Sequence, residues 1–197
     1  MITDINQLDL HKQYTYADYL TWNFKERVEL IKGWIHKMSP APLDVHQQIT
    51  GNLFSEIRPF FKKSTCKARI SPYDVRLLDK RKSTADKDIY TVVQPDICVI
   101  CDPSKIDRRG CIGAPDWVIE ILSPGNSKTE MSDKFNLYQE NGVREYWIVQ
   151  PEFESILVFA LEESRFGQVK MYAGDDKVPP VVFPELVIDL VDIFQTG

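Results

Sequence analysis

The spacing of apolar positions in the first third of the chain predicts a short helix, a hairpin and a long helix. The segment TYADYLTWN (15–23) predicts a short helix with Thr15 as its N-cap. The runs RVELIK and WIHKMS, joined at Lys32-Gly33, predict a β-hairpin. A long helix over 43–62 is predicted because apolar side chains recur there every three to four residues, at Val45, Ile49, Leu53, Ile57 and Phe60 or Phe61.

Beyond residue 62 the apolar period becomes that of strands. The segment ARISPYDVRLLD predicts one or two strands with a bend or edge at Pro72, and polar KRKSTADKD predicts a loop. Further strands are predicted in QPDICVICD, PDWVIEILSP and REYWIVQP, with DPSKIDRRGCIG as a loop between the first two. A helix is predicted over 127–141, where Asn141-Gly142 is a normal stop signal.

The end of the chain adds strands and one more helix. SILVFAL and GQVKMYA predict a hairpin, and the tail after residue 177 predicts a strand and a short final helix. The step from strand 116–122 through helix 127–141 to strand 144–149 fits a right-handed βαβ unit. We therefore expect one α/β domain over 1–197, with a central mixed sheet flanked by helices, an N-terminal hairpin and C-terminal strands.

Composition narrows the class of protein. The chain has 197 residues, of which 43% are apolar and 27% charged, with a net charge of −5. No run of 18 apolar residues predicts a membrane span, and the polar N-terminus lacks the apolar core of a signal peptide. We expect a cytoplasmic protein whose four cysteines are free thiols. Cys98 and Cys101 have C-x-x-C spacing but no second pair, which favours core thiols over a zinc site.

Positive charge is concentrated in one part of the chain. The cluster consists of Lys62, Lys63, Lys67, Arg69, Arg76, Lys80, Arg81 and Lys82. The negative net charge argues against a general nucleic-acid coat and is compatible with a local basic patch. The cluster is either a solvated surface or a nucleic-acid contact.

Glu120 lies in the middle of an otherwise apolar strand. Alternation puts Trp117, Ile119 and Ile121 on one face, and Val118 and Glu120 on the other. Two more acids have apolar neighbours, since Asp96 precedes Ile97 to Ile100 and Glu29 lies between Val28 and Leu30. Taken singly, each acid fits a salt-bridged or edge residue. Taken together, converging acids favour a cation, because burying a lone carboxylate is costly.

Mg²⁺ suits this set of ligands. It is often held by one or two carboxylates with waters and phosphate oxygens. Asp96 and Glu120 on neighbouring strands, about 4.8 Å apart, could share an ion, and the Ile121 carbonyl could add an oxygen. Lys134 borders the helix face that should meet the sheet. Its side chain either packs its stem and reaches water, or aims its amine at the acids to orient a water and stabilise phosphate charge.

These residues resemble a known nuclease motif. Pro95-Asp96 followed by Glu120-Ile121-Leu122 is similar to the PD-(D/E)xK pattern, with Leu122 where the lysine normally stands. EILSPGNSKTEMSDKFNLYQENGVREYWIV resembles the Uma-type restriction-endonuclease family, a branch in which the lysine has moved to the following helix. RVELIKGWIHKMSPAPLDVHQQI, SPYDVRL and FPELVIDLVDIF also fit the family, so the resemblance covers nearly the whole chain.

The resemblance implies a restriction endonuclease-like fold and a set of roles. Asp96 and Glu120 would bind the divalent metal, joined by the Ile121 carbonyl. Lys134 would be the displaced catalytic lysine, and Glu29 a helper acid from the N-terminal part.

Four further residues are candidates for the surrounding pocket. His46 either approaches the acids or is a structural histidine, and Asp74 is either a partner of the acids or a plain strand acid. Ser123 and Tyr138 could line the same pocket.

The leading hypothesis is therefore a DNA endonuclease that uses Mg²⁺ or Mn²⁺. A homodimer is expected, since cutting both strands needs two sites. One alternative is a nuclease-fold protein that binds nucleic acid or a protein without cutting, and another is a metal hydrolase of small phosphoesters.

Overall fold

The structure, a computed structural model, describes residues 1–38, 43–78, 83–123 and 128–195. The helices are α1 (Tyr16–Tyr19), α2 (Asp44–Phe60), α3 (Lys128–Asn141) and α4 (Leu190–Phe194). The strands in the first half are β1 (Val28–Ile31), β2 (Trp34–Lys37), β3 (Lys67–Ile70), β4 (Val75–Leu77), β5 (Thr91–Val93), β6 (Ile97–Ile100), β7 (Ile106–Asp107) and β8 (Gly110–Ile112). Those in the second half are β9 (Trp117–Ile121), β10 (Glu145–Gln150), β11 (Ser155–Glu162), β12 (Arg165–Phe166), β13 (Lys170–Ala173), β14 (Lys177–Val178) and β15 (Ile188–Asp189).

A mixed seven-stranded sheet forms the centre of the fold. Its order is β12-β11-β10-β9-β6-β3, with β13 paired to β11. Strands β9 and β10 are parallel and joined by α3, which confirms the predicted βαβ unit. Strands β6 and β9 are antiparallel neighbours, with Ile97 opposite Ile119. The two strands that carry the candidate acids are therefore adjacent, as predicted.

Helices cover both faces of this sheet, as predicted. On one face, Trp117, Ile119 and Ile121 pack with Leu53 of α2 and Ile193 of α4. On the opposite face, Val118 packs with Leu137 and Tyr138 of α3. The period-two alternation of β9 is thus real, and Glu120 lies on the face covered by α3.

A second sheet, of six strands, was not predicted as a separate unit. Its order is β2-β1-β5-β4-β8-β7, so the N-terminal hairpin belongs to it. Strand β5 was missed, and the predicted loop DPSKIDRRGCIG contains β7 and β8. These strands have two or three residues each. Runs this short cannot show a period, and only their partners identify them.

The segment ARISPYDVRLLD divides between the two sheets. It forms β3, in the seven-stranded sheet, and β4, in the six-stranded sheet. The change of sheet occurs at the cis peptide bond between Ser71 and Pro72. The predicted bend at Pro72 is therefore a crossing point between sheets.

The predicted local signals at helix ends are present. The Thr15 side chain accepts a hydrogen bond from the Asp18 backbone N–H. The Asp18 carboxylate accepts one from the Thr15 backbone N–H, and the two bonds form a capping box at α1. Helix α3 stops at Gly142, whose φ of +79° suits a residue without a Cβ. The tail forms the β14–β15 pair and α4.

The prediction of four free thiols is wrong for two of them. Cys66 and Cys101 form a disulfide, while Cys98 and Cys111 are free and buried. The reason is register: Lys67 lies opposite Ile100 in the β3–β6 pair, so the next residue outward on each strand is a cysteine. Pairing at this distance in sequence is a tertiary property that cysteine spacing alone did not indicate.

The positive cluster does not form one surface. Arg76 is fully buried between Asp107 and the carbonyl of Cys111, so it is a core residue. Lys80, Arg81 and Lys82 lie outside the described residues. Lys62, Lys63 and Lys67 are exposed and Arg69 is partly so. Across the ranges that the structure describes, no helix has the length and apolar character needed to cross a membrane.

Candidate nuclease site

Asp96 and Glu120 meet at one end of the β6–β9 pair. The register that sets Ile97 opposite Ile119 places Asp96 opposite Glu120 one residue further on. Asp96 Oδ2 accepts the backbone N–H of Ile121 at 2.8 Å, which fixes its carboxylate against β9. The two acids are close enough for the charge of Asp96 to raise the pKa of Glu120.

Lys134 brings its amine to these acids from α3. Its Nζ lies 2.9 Å from Oε1 of Glu120 and 3.3 Å from Oε2 of Glu29. The residue is only 8% exposed. The amine therefore contacts the two acids and does not reach water, whereas its role in orienting a water or stabilising phosphate charge stays a prediction.

The electrostatics of Glu120 follow from its burial. Burial raises its pKa to about 7, helped by the charges of Asp96 and Glu29 and opposed by Lys134. The hydroxyl of Tyr138 donates to Glu120 Oε1 at 2.6 Å and favours the ionised form. Burial also disfavours the charged amine of Lys134, but Glu120 and Glu29 outweigh it and raise the pKa of that amine well above its usual value. Lys134 thus keeps its proton.

Glu29 comes to the site from the other sheet. It lies on β1, and its Oε1 accepts the backbone N–H of Gln94 at 2.8 Å. Its second contact is with Lys134, which therefore links an acid of the six-stranded sheet to one of the seven-stranded sheet. The N-terminal acid is buried, at 3% exposure.

His46 approaches Asp96 from the first turn of α2. Its Nε2 lies 3.3 Å from Asp96 Oδ2. Burial lowers the pKa of the imidazole, but hydrogen bonding to Asp96, the charge of Asp96 and the Ile121 carbonyl together raise it above its usual 6.5. The backbone of Ile121 therefore donates its N–H to Asp96, and its carbonyl oxygen accepts a hydrogen bond from His46. His46 lies beside the acids, as one of its two interpretations predicted.

The other three pocket candidates have different surroundings. Asp74 is separated from the acid pair and joined to Gln94, whose Nε2 donates to Asp74 Oδ1 at 2.8 Å. Burial raises the pKa of Asp74 above its usual value, and the hydrogen bond from Gln94 only partly offsets this effect. Ser123 and His46 line a cavity of about 220 Å³ with Leu122 and Phe153. Tyr138 is not one of the described residues that line this cavity, and its hydroxyl contacts Glu120.

A divalent metal can be tested against the chemistry of these groups. Within the described ranges, no three His, Cys, Asp or Glu side chains form a cluster that could hold a metal by themselves. The carboxylates of Asp96 and Glu120 and the carbonyl of Ile121 are hard oxygen donors on one side of the site. Mg²⁺ commonly takes one or two carboxylates and completes its shell with water and phosphate oxygens, so these groups fit it.

Sequence reasoning missed one connecting residue, Gln94. Its backbone N–H binds Glu29, and its side chain contacts Asp74, Tyr19 and Arg27. It stands directly before Pro95-Asp96, so its place beside the motif was the available signal. The side-chain amide of Gln94 donates to the Asp74 carboxylate through its nitrogen and accepts from the Arg27 guanidinium through its oxygen, so it connects the two charged groups.

Comparison with known proteins identifies the family. The family model described as "Uma2: Putative restriction endonuclease" matches residues 16–191. An uncharacterised protein of Synechocystis sp. is 23% identical over 164 residues, covering 82% of this chain and 81% of its own length. A crystal structure described as "a putative nuclease belonging to DUF820", from Anabaena variabilis, superposes with a TM-score of 0.70. It is 24% identical, and the match covers 92% of this chain and 97% of that one.

The structural likeness shows the fold, and the family match shows the relationship. The mixed sheets and few helices of this chain agree with the fold of the Anabaena protein. The family match spans the hairpin with Glu29, both acid strands and helix α3 with Lys134. The chain belongs to the Uma2 family of restriction endonuclease-like proteins.

Proposed function

We propose that the protein is a DNA endonuclease that depends on Mg²⁺ or Mn²⁺. The observation that carries the proposal is the buried amine of Lys134, 2.9 Å from Glu120, in a chain whose motif has Leu122 in the lysine position. Helix α3, and not the strand that carries Glu120, provides the lysine in this chain. Its amine supplies the positive charge that the motif lysine would otherwise bring to the acids. Membership of the Uma2 family supports the same class of activity.

Each residue has a role that its surroundings support. Asp96, Glu120 and the Ile121 carbonyl would hold the divalent ion, which when bound would polarise the scissile phosphate and steady the leaving oxygen. Lys134 would present its protonated amine to the phosphate or to the attacking water. Glu29 would hold Lys134 in place, Tyr138 would orient Glu120, and His46 would orient Asp96.

A cleavage assay of three proteins tests the proposal. Wild type is expected to cut DNA with Mg²⁺ or Mn²⁺, and Asp96→Ala and Lys134→Ala are expected to lose that activity. Calorimetric titration with Mn²⁺ should show binding to wild type and weaker binding to Asp96→Ala. A wild type that neither cuts DNA nor binds either ion overturns the proposal. Equal residual cutting by all three proteins would indicate a contaminating nuclease.

A second candidate function is DNA or protein binding without cleavage. It is favoured by the position of the Lys134 amine between Glu29 and Glu120, which neutralises acids that would otherwise attract a cation. Wild type that binds a DNA duplex in the presence of Mg²⁺ and leaves it uncut over hours supports this candidate. Turnover that depends on Asp96 excludes it.

The endonuclease proposal includes a homodimer. One site can cut one strand at a time, and two copies related by a two-fold axis would present one site to each strand. Sedimentation velocity at micromolar concentration should give about twice the mass of the chain. A monomer at that concentration contradicts the dimer and leaves the single-strand chemistry intact.

A further inference from the structure

A basic groove lies between the C-terminal half of α2 and strand β3. It has a volume of about 800 Å³. Its charged lining residues are all cationic, and they are Arg58, Lys62, Lys67 and Arg69. This is unexpected in a chain with a net charge of −5. None of the four forms an ion pair with an acid among the residues that the structure describes.

Both walls of the groove lead to the candidate nuclease site. Helix α2 carries His46, which contacts Asp96, near its start and Arg58 near its end, about 18 Å away at 1.5 Å per residue. Strand β3 runs alongside β6 with Ile70 opposite Ile97, the residue after Asp96. The Ser71 N–H binds the carbonyl of Asp96 itself, at 3.0 Å. Lys67 lies at the far end of β3, roughly 10 Å from that point.

The contacts made by two of these cations leave charge available to a ligand. Lys67 Nζ donates to the carbonyl of Ser64 at 3.2 Å, a single bond for a group with three donors. Arg69 donates to the Ala68 carbonyl at 3.1 Å and lies over the Tyr73 ring. These contacts orient the side chains without neutralising them. A groove of ordered, unneutralised cations suits a chain of phosphates.

We infer that this groove binds the sugar-phosphate backbone of a DNA duplex and leads one strand to Asp96 and Glu120. The distances from the candidate site to Lys67 and Arg58, about 10 and 18 Å, correspond to about three to five nucleotides at 3.4 Å per nucleotide along the duplex axis. Four cations over that length match one phosphate each. The inference rests on the proposed function for its substrate, and it adds a binding surface remote from the reacting groups.

Charge-neutralising variants on opposite edges of the sheet test the groove. The test variant is Lys62→Gln/Lys67→Gln, and the matched control is Arg165→Gln/Lys170→Gln, which removes the same charge. Both control residues are exposed, and Lys170 on β13 lies five strand spacings from β3, about 24 Å away. Binding of a fluorescein-labelled 20-base-pair duplex is measured by anisotropy in EDTA, from 50 to 300 mM NaCl.

The expected result is specific to the groove. At 0.1 M salt the test variant should bind about tenfold more weakly than wild type, and the slope of log K against log salt should fall by about 1.8. The control pair should change neither quantity. Equal losses in both variants, an unchanged slope in the test variant, or no binding by wild type would overturn the inference.

Binding in EDTA separates this inference from the proposed function. A protein that binds through the groove and cuts no DNA with any metal overturns the endonuclease and keeps the groove. A test variant that cuts DNA and binds it as tightly as wild type keeps the endonuclease and removes the groove. Circular dichroism of each variant confirms that it is folded, which the exposure of Lys62 and Lys67 favours.

Discussion

Lys134 Nζ, on helix α3, lies 2.9 Å from Glu120 Oε1, on strand β9 of the same βαβ unit. In the PD-(D/E)xK pattern the lysine and the second acid share a strand. Here the strand position is Leu122, which packs into the apolar cluster between the sheet and α3. The helix that crosses over that cluster supplies the amine instead. The same charge pair is therefore built from a helix and a strand.

Removal of the Lys134 amine should destabilise the fold. In Lys134→Met, Glu120 and Glu29 lose the buried cation between them, and we expect the free energy of unfolding to fall by about 3 kcal/mol. Urea denaturation at pH 7.5 in EDTA measures it. The double variant Lys134→Met/Glu120→Gln should recover part of the loss, because the charge of Glu120 is gone and only that of Glu29 stays uncompensated. A double variant less stable than Lys134→Met would contradict the buried ion pair.

Tyr138→Phe removes the hydroxyl that donates to Glu120 at 2.6 Å. The buried carboxylate then loses one of the two donors that the described residues give it, and a cost of about 1.5 kcal/mol is expected. The control is Tyr172→Phe on β13, a partly buried ring that should tolerate the change with little loss. Thermal unfolding of the three proteins decides the matter, and an equal shift in both variants would argue against the contact.

Arg76 and Asp107 give the chain an acid-sensitive contact. Arg76 is fully buried, and its NH2 group donates to Asp107 Oδ1 at 2.6 Å. This hydrogen bond lowers the pKa of Asp107 below its usual 3.8. A lowered carboxyl pKa contributes stability above pH 3.8, and that stability is lost as the pH falls through the folded-state value.

Asp107→Asn should therefore be less stable than wild type at pH 7. We expect a loss of about 2 kcal/mol, less than for a fully buried pair because Asp107 is exposed and solvent screens its charge. The gap between the two proteins should shrink as the pH falls below 3.8. Denaturation series at pH 7 and pH 3 measure both gaps, with Asp175→Asn in an exposed turn as the control. A constant gap would mean that the Asp107 charge contributes nothing.

Reduction of the Cys66–Cys101 disulfide should lower the thermal stability. The bond closes a sequence separation of 35 residues, for which chain entropy gives about 3–4 kcal/mol. Melting with and without dithiothreitol measures the loss, and Cys66→Ser/Cys101→Ser should melt at the reduced temperature in both conditions. Thiol counting on the denatured, unreduced protein should find two reactive cysteines, and four would contradict the bond.

The sequence was sufficient for the parts of the fold that have a period. Alternation along β9 placed Glu120 on one face, and the three-to-four spacing placed α2 within a few residues of its bounds. The six-stranded sheet escaped prediction because strands such as β5 and β7 are too short to carry a pattern. The Cys66–Cys101 bond and the Gln94 contacts depend on register between distant segments, which local pattern does not encode.

The candidate site was predictable as a set of residues and not as an arrangement. The pattern of apolar neighbours indicated the buried acids and a lysine at the border of the apolar helix face. The resemblance to the family assigned these residues to one site. The pattern alone left two paths for the Lys134 side chain. Packing of α3 against β9 decides between them, and that packing is a tertiary property.

Because Lys134 touches Glu29 on one sheet and Glu120 on the other, the constellation exists only after the two sheets have docked. A partly folded chain that has formed β9, α3 and β10 but not the N-terminal hairpin carries two of these three groups and leaves its lysine half compensated. Completion of the three-residue contact therefore requires both sheets to be in place.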